Sequence, residues 1–127
     1  MRILSAKSFQ VKLKATIHKS GRLGFTEATQ HAIGINQDTC LRFATDDIDG
    51  ETILFMSVSR DFDEDAFKVY RSGSYYSIPT TQLFNSLGLD YRSNIIMFDL
   101  VREPKYDAEL QGECYRMLKR SKHRLKQ

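Results

Sequence analysis

A chain of 127 residues with 41% hydrophobic and 28% charged side chains has the size and composition of one globular domain that buries a core without staples. Its two cysteines, Cys40 and Cys114, have no paired spacing, which excludes a disulfide framework and a cysteine-based metal or redox motif. No apolar run approaches the roughly 20 residues of a membrane helix, and Met1–Lys7 lacks the apolar core of a secretion signal. The reading is a cytoplasmic protein with reduced thiols and no membrane association.

The net charge of +3 is unevenly spread. Residues 1–22 carry six basic residues and no acid, residues 23–104 carry six basic against thirteen acidic, and residues 105–127 carry seven against three. Basic ends around an acidic centre point to a polyanion partner, or to solvated tails.

Residues 1–8 read as a flexible or edge segment. From Phe9 the pattern alternates, with Phe9, Val11, Leu13, Ala15 and Ile17 on one face, as in a half-buried strand. Lys19-Ser20-Gly21 is a turn, and residues 22–26 return as a short second strand. Thr26 caps a helix over 27–33, and Gly34 ends it. Thr39–Thr45 and Glu51–Ser59 are strands joined at Asp49-Gly50, a hairpin dipeptide. The second of them, through Ile53–Met56, is apolar on both faces and reads as covered on both. Asp61–Asp65 is an acidic connection and the best internal boundary.

Ala66–Tyr70 and Tyr75–Ile78 are strands around the turn Ser72-Gly73-Ser74. Tyr75 and Tyr76 are neighbours on a strand and face opposite sides, one toward the core. Pro79 stops the strand, Thr80 caps a second helix over 81–87, and Gly88 ends it. Asn94–Arg102 is an apolar strand. From Asp107 the tail reads as an amphipathic helix, with Leu110, Cys114, Leu118, Ser121 and Leu125 along one stripe and basic residues around it. Ser20-Gly21 matches Ser72-Gly73, and Ile33-Gly34-Ile35 matches Leu87-Gly88-Leu89. The fold class is therefore α+β: two tandem β-β-α-β(β) repeats, about 9–60 and 66–104, form one mainly antiparallel sheet or barrel over 1–104. Residues 105–127 follow as a basic C-terminal helix.

Ser72-Gly73-Ser74-Tyr75-Tyr76-Ser77-Ile78-Pro79 followed by Leu83-Phe84-Asn85-Ser86-Leu87-Gly88-Leu89 resembles the AbrB/MazE/MraZ swapped-hairpin family. The two copies together cover about residues 9–103. The resemblance implies a small interlocked β-barrel that binds duplex DNA, with tandem copies building it in one chain. The family carries basic residues around its helix, whereas both helices here lack Lys and Arg.

Candidate contacts are therefore sought elsewhere. Lys12, Lys14, Lys19 and Arg22 make the first hairpin a basic ribbon, suited to phosphates. Arg116, Lys119 and Arg120 lie in the basic tail, whose apolar stripe also suits docking onto the domain or a homodimer. Asp46, Asp47, Asp49 and Glu51 lack the ligand spacing of a calcium loop and read as a turn. No phosphate loop, nucleophile elbow or zinc set occurs. The reading is a non-enzymatic nucleic-acid-binding protein without cofactor or metal. DNA is favoured over RNA, and a role in transcription regulation is expected. The alternative is an antitoxin-like or oligomeric assembly module.

Overall fold

The computed structural model describes residues 1–6 and 11–125. Thirteen segments follow one another: β1 (Lys14–Ile17), β2 (Leu23–Phe25), α1 (Glu27–Ile33), β3 (Cys40–Ile48), β4 (Glu51–Ser59), β5 (Phe67–Lys68), β6 (Tyr70–Ser72), β7 (Tyr75–Ile78), α2 (Thr81–Ser86), β8 (Asn94–Arg102), a 3-10 turn (Pro104–Tyr106), α3 (Asp107–Leu110) and β9 (Glu113–His123). The nine strands form one antiparallel sheet in the order β5-β3-β4-β9-β8-β1-β2-β7-β6. It curls into a nearly closed barrel.

The closure comes from one short passage of chain. β5 pairs with β3 at one edge, and β6 pairs with β7 at the other. Only the buried Val69 separates β5 from β6. Phe67–Ser72 therefore belongs to both edges, which protects them from pairing with other chains.

Each hairpin has a local cause. Asp49 (φ 52°) and Gly50 (φ 82°) both adopt the left-handed conformation that a two-residue turn between twisted strands needs, so Ile48 pairs directly with Glu51. α1 begins where Thr26 Oγ1 accepts the Thr29 amide at 3.2 Å and ends at left-handed Gly34. Neither helix is long enough to stand alone; Ile33 of α1 packs against the core from its edge. Phe84 of α2 is fully buried, with its ring 6.4 Å from Phe98 and 6.3 Å from Phe43.

Directly paired residues on neighbouring strands share a face. The rows Ala15–Phe98 and Ile17–Ile96 point inward, as do Leu100–Met117 and Phe43–Met56. Full burial of such a side chain contributes about 1.5–3 kcal/mol. Tyr76 packs toward this core and Tyr75 is exposed, as their adjacency requires. β4 is covered on its outer side too, where Tyr106 lies edge-on to Phe55 at 4.9 Å. β8 has no such cover: Ile95 and Met97 are half-buried and Val101 is exposed.

The C-terminal segment corrects the sequence reading. Residues 105–127 are not a basic amphipathic helix: only Asp107–Leu110 is α-helical, and Glu113–His123 is a strand between β4 and β8. The residues alternate, with Tyr115 and Met117 inward and Arg116 and Leu118 outward. Pairing with β4 up to Met117 and with β8 from Tyr115 onward overrides the helix preference of Met117–Arg120. A homodimer through a C-terminal helix thus has no such helix to use. The first strand begins at Lys14; the start expected at Phe9 lies outside the described residues.

Candidate nucleic-acid interface

β1, β8 and β9 are neighbours, so the two basic ends of the chain lie side by side. The outward residues are Lys14 and Thr16 on β1, Met97 and Asp99 on β8, and Leu118 and Arg120 on β9. Lys14 stands opposite Asp99, and Thr16 opposite Met97, which in turn stands opposite Arg120. Thr29 of α1 accepts the Lys14 amide at 2.8 Å and fixes the start of β1.

Lys12, Lys14 and Arg120 line one groove of about 420 Å³ together with Asp99 and Arg102. Two of its cations are already paired. Arg120 Nε lies 2.6 Å from Asp99 Oδ2, and Arg102 grips Asp107 through both terminal nitrogens at 2.6 and 2.7 Å. The Arg102 guanidinium and the Cys114 amide hold the Asp107 carboxyl below the usual carboxylate range. Lys12 and Lys14 have no carboxylate partner within 4.0 Å among the described residues.

The other expected contacts fall elsewhere. Lys19 lies in a second cleft of about 730 Å³ with Arg92, His123 and Arg124. Arg22 remains outward on the hairpin but is engaged, donating from Nε to Ser77 Oγ at 3.1 Å and lying 5.7 Å from the Tyr70 ring centroid. Arg116 pairs with Glu103 at 3.0 Å and covers the Phe55 ring. Lys119 stands opposite Phe98, on the inner face, and lines a third cleft of about 650 Å³ with Glu51, Leu87 and Leu89. The structure therefore brings together Lys12, Lys14 and Arg120, sets Lys19 beyond them, and separates Arg22, Arg116 and Lys119 from that group. Sequence reasoning missed Arg92, His123 and Arg124. The last two belong to the visible basic tail; nothing local marks Arg92.

Two acidic clusters of the sequence lie in turns and connections. Asp46, Asp47, Asp49 and Glu51 flank the β3–β4 hairpin turn. Asp63 does more than solvate the acidic connection: it accepts from Arg42 at 3.0 Å, and this bond holds its carboxyl below the usual range. The buried Arg42 also donates to Ser59 Oγ and to the Asp61 carbonyl. No group of three metal-ligating side chains occurs among the described residues. Burial, reinforced by Asp107, pushes the Cys114 thiol up to about 11, so it is protonated and unreactive at neutral pH. No described helix is long and apolar enough to cross a membrane.

Comparison of the chain with protein families, curated proteins and solved structures gives no match.

Proposed function

We propose that this is a nucleic-acid-binding protein, with DNA as the preferred partner and transcription regulation as its role. The carrying observation is the adjacency of β1, β8 and β9, by which Lys12, Lys14 and Arg120 line one groove although about 100 residues separate the first from the last. Lys and Arg aligned on a sheet face neutralise phosphates and release counterions. Asp99 keeps Arg120 pointed along the face in the absence of ligand.

The proposal extends to a duplicated architecture of the AbrB/MazE/MraZ swapped-hairpin type. Taking β5 with β6 as one strand gives a ring of eight. Exchanging β1–β4 for β6–β9 leaves the neighbour relations of that ring unchanged. Gly21 and Gly73 take left-handed turn positions, and Gly34 and Gly88 do so beyond α1 and α2. On this reading β9 completes the second unit in place of a separate tail helix.

Anisotropy of labelled duplex and single-stranded oligonucleotides against salt tests the function. The expected result is affinity that falls steeply with salt. Replacing Lys12, Lys14 and Arg120 by Gln should shallow the slope by up to about 0.9 for each phosphate that is no longer neutralised. Absence of binding at low salt overturns the reading. The alternative assembly module draws on one feature, the exposure of Val101 and Leu118 on this outer face. Light scattering that finds a stable oligomer, with no oligonucleotide binding, would favour it.

A further inference from the structure

The cleft at the far end of this face differs from the rest of it. Lys19 comes from the β1–β2 turn, Arg92 and Ser93 from the turn before β8, and His123 and Arg124 from the end of β9. Four basic residues from three chain segments thus line about 730 Å³, and no carboxylate of the described residues lines it with them. Asp90, the nearest acid in sequence, turns to its own loop and accepts the Ser93 amide at 3.1 Å.

Arg124 is built into place. Its amide donates to the Ser93 carbonyl at 2.8 Å, and its Nε donates to the carbonyl of the buried Tyr91 at 2.9 Å. The two terminal nitrogens make no hydrogen bond or ion pair among the described residues. A guanidinium held through Nε, with its fork open, is pre-organised for a tetrahedral oxyanion.

We infer that this cleft binds a phosphomonoester, the terminal phosphate of a nucleic-acid strand or of a nucleotide. The ligand class follows from charge and place. A terminal phosphate carries about −1.5 to −2 charge and three free oxygens at neutral pH, which suits several converging cations better than a single diester charge. The cleft also lies where β1 and β9 end, so a strand tracking Lys12, Lys14 and Arg120 finishes there. Arg124 and Arg92 hold the phosphate, Lys19 and His123 flank it, and Ile95 offers an apolar wall to the adjoining sugar or base.

The inference rests on the nucleic-acid reading, and one experiment separates the two. The full chain is titrated with a short oligonucleotide carrying either a 5′-phosphate or a 5′-hydroxyl, and with a nucleoside 5′-monophosphate and the matching nucleoside. The phosphorylated oligonucleotide should bind about tenfold or more tightly, the scale of charge-assisted hydrogen bonds to one group. Arg92→Gln with Arg124→Gln should abolish that ratio, while Lys12→Gln with Lys14→Gln weakens both oligonucleotides and leaves it intact. If Arg124→Gln unfolds the chain, Arg92→Gln with Lys19→Gln serves, because neither side chain carries a described structural bond. Equal binding of both oligonucleotides overturns the phosphomonoester site and leaves the nucleic-acid reading standing. Binding of the monophosphate alone, without either oligonucleotide, keeps the site and overturns the nucleic-acid reading. Silence from every probe removes both.

Discussion

Single buried polar groups decide where the hairpins sit. Thr80 is fully buried, and its hydroxyl accepts the Leu23 amide at 3.0 Å and donates to the Gly21 carbonyl at 3.0 Å. It therefore ties the start of α2 to the first hairpin. Thr80→Val keeps the shape and strands the Leu23 N–H, so it should cost about 1–3 kcal/mol in urea unfolding; Thr80→Ser should recover most of it. Cys114 contributes to the response to alkali, beside Tyr106 and Tyr115, whose hydroxyls burial also pushes up. The folded pKa of Cys114 is raised from 9.0 to about 11. The stability this gives is complete below the unfolded pKa and is lost as pH rises through the folded one. The melting temperature should fall between about pH 9 and 11, and Cys114→Ala should flatten that decline whatever its effect at neutral pH.

β9 carries the largest consequence among the elements. It pairs with β4 over Leu54–Val58 and with β8 along nearly its whole length. A detachable helix could be removed without loss of the core; a strand inside the sheet cannot. A chain ending at Gly112 loses both ladders and the inward Tyr115 and Met117. It should show no cooperative melting by circular dichroism, and a native-like transition would contradict this strand's role. The entry to β9 is equally constrained, because a Cβ at Gly112 would meet the Val58 carbonyl oxygen at 2.5 Å. Element types were otherwise legible: α1 and β8 fall on the stretches that cap residues and apolar runs mark out. β9 was misread because period 3.6 and period 2 both fit Cys114–Leu118 when no partner strand is known.

At the scale of the whole molecule, the halves of the chain are not independent. β1 pairs with β8, β2 with β7, and β4 with β9, each joining residues before 60 to residues after 74. Gln30 of α1 accepts the Tyr76 amide at 3.1 Å, as Thr80 ties the opposite pair. Residues 1–62 or 63–127 expressed alone should therefore lack cooperative unfolding, because each loses these cross-pairings. Two independently melting halves would contradict the interlock. The same pairings create the charge layout, bringing Lys12 and Lys14 beside Arg120 and placing Glu51 of the acidic hairpin in one cleft with Lys119.

Local chemistry alone determined the caps of α1, the Asp49-Gly50 turn and the alternating strands, since those depend on residues within a few positions of one another; Thr80, expected to cap α2, makes no cap hydrogen bond and turns its hydroxyl to the first hairpin. The uneven charge was likewise plain, and with it the idea of a polyanion partner. Which cations would stand together was a tertiary matter. Lys12 and Arg120 share a groove only because β8 lies between their strands. Arg92 and Arg124 meet Lys19 only because two turns and a strand end close on one corner. Arg116 and Lys119 looked equivalent to Arg120 in the tail, yet strand alternation turns Lys119 to an inner cleft, while Arg116 and Arg120 stay outward, each held by its own carboxylate, and only Arg120 lines the outer groove. Register in a sheet is a long-range property, and it sets which side of the molecule each charge occupies.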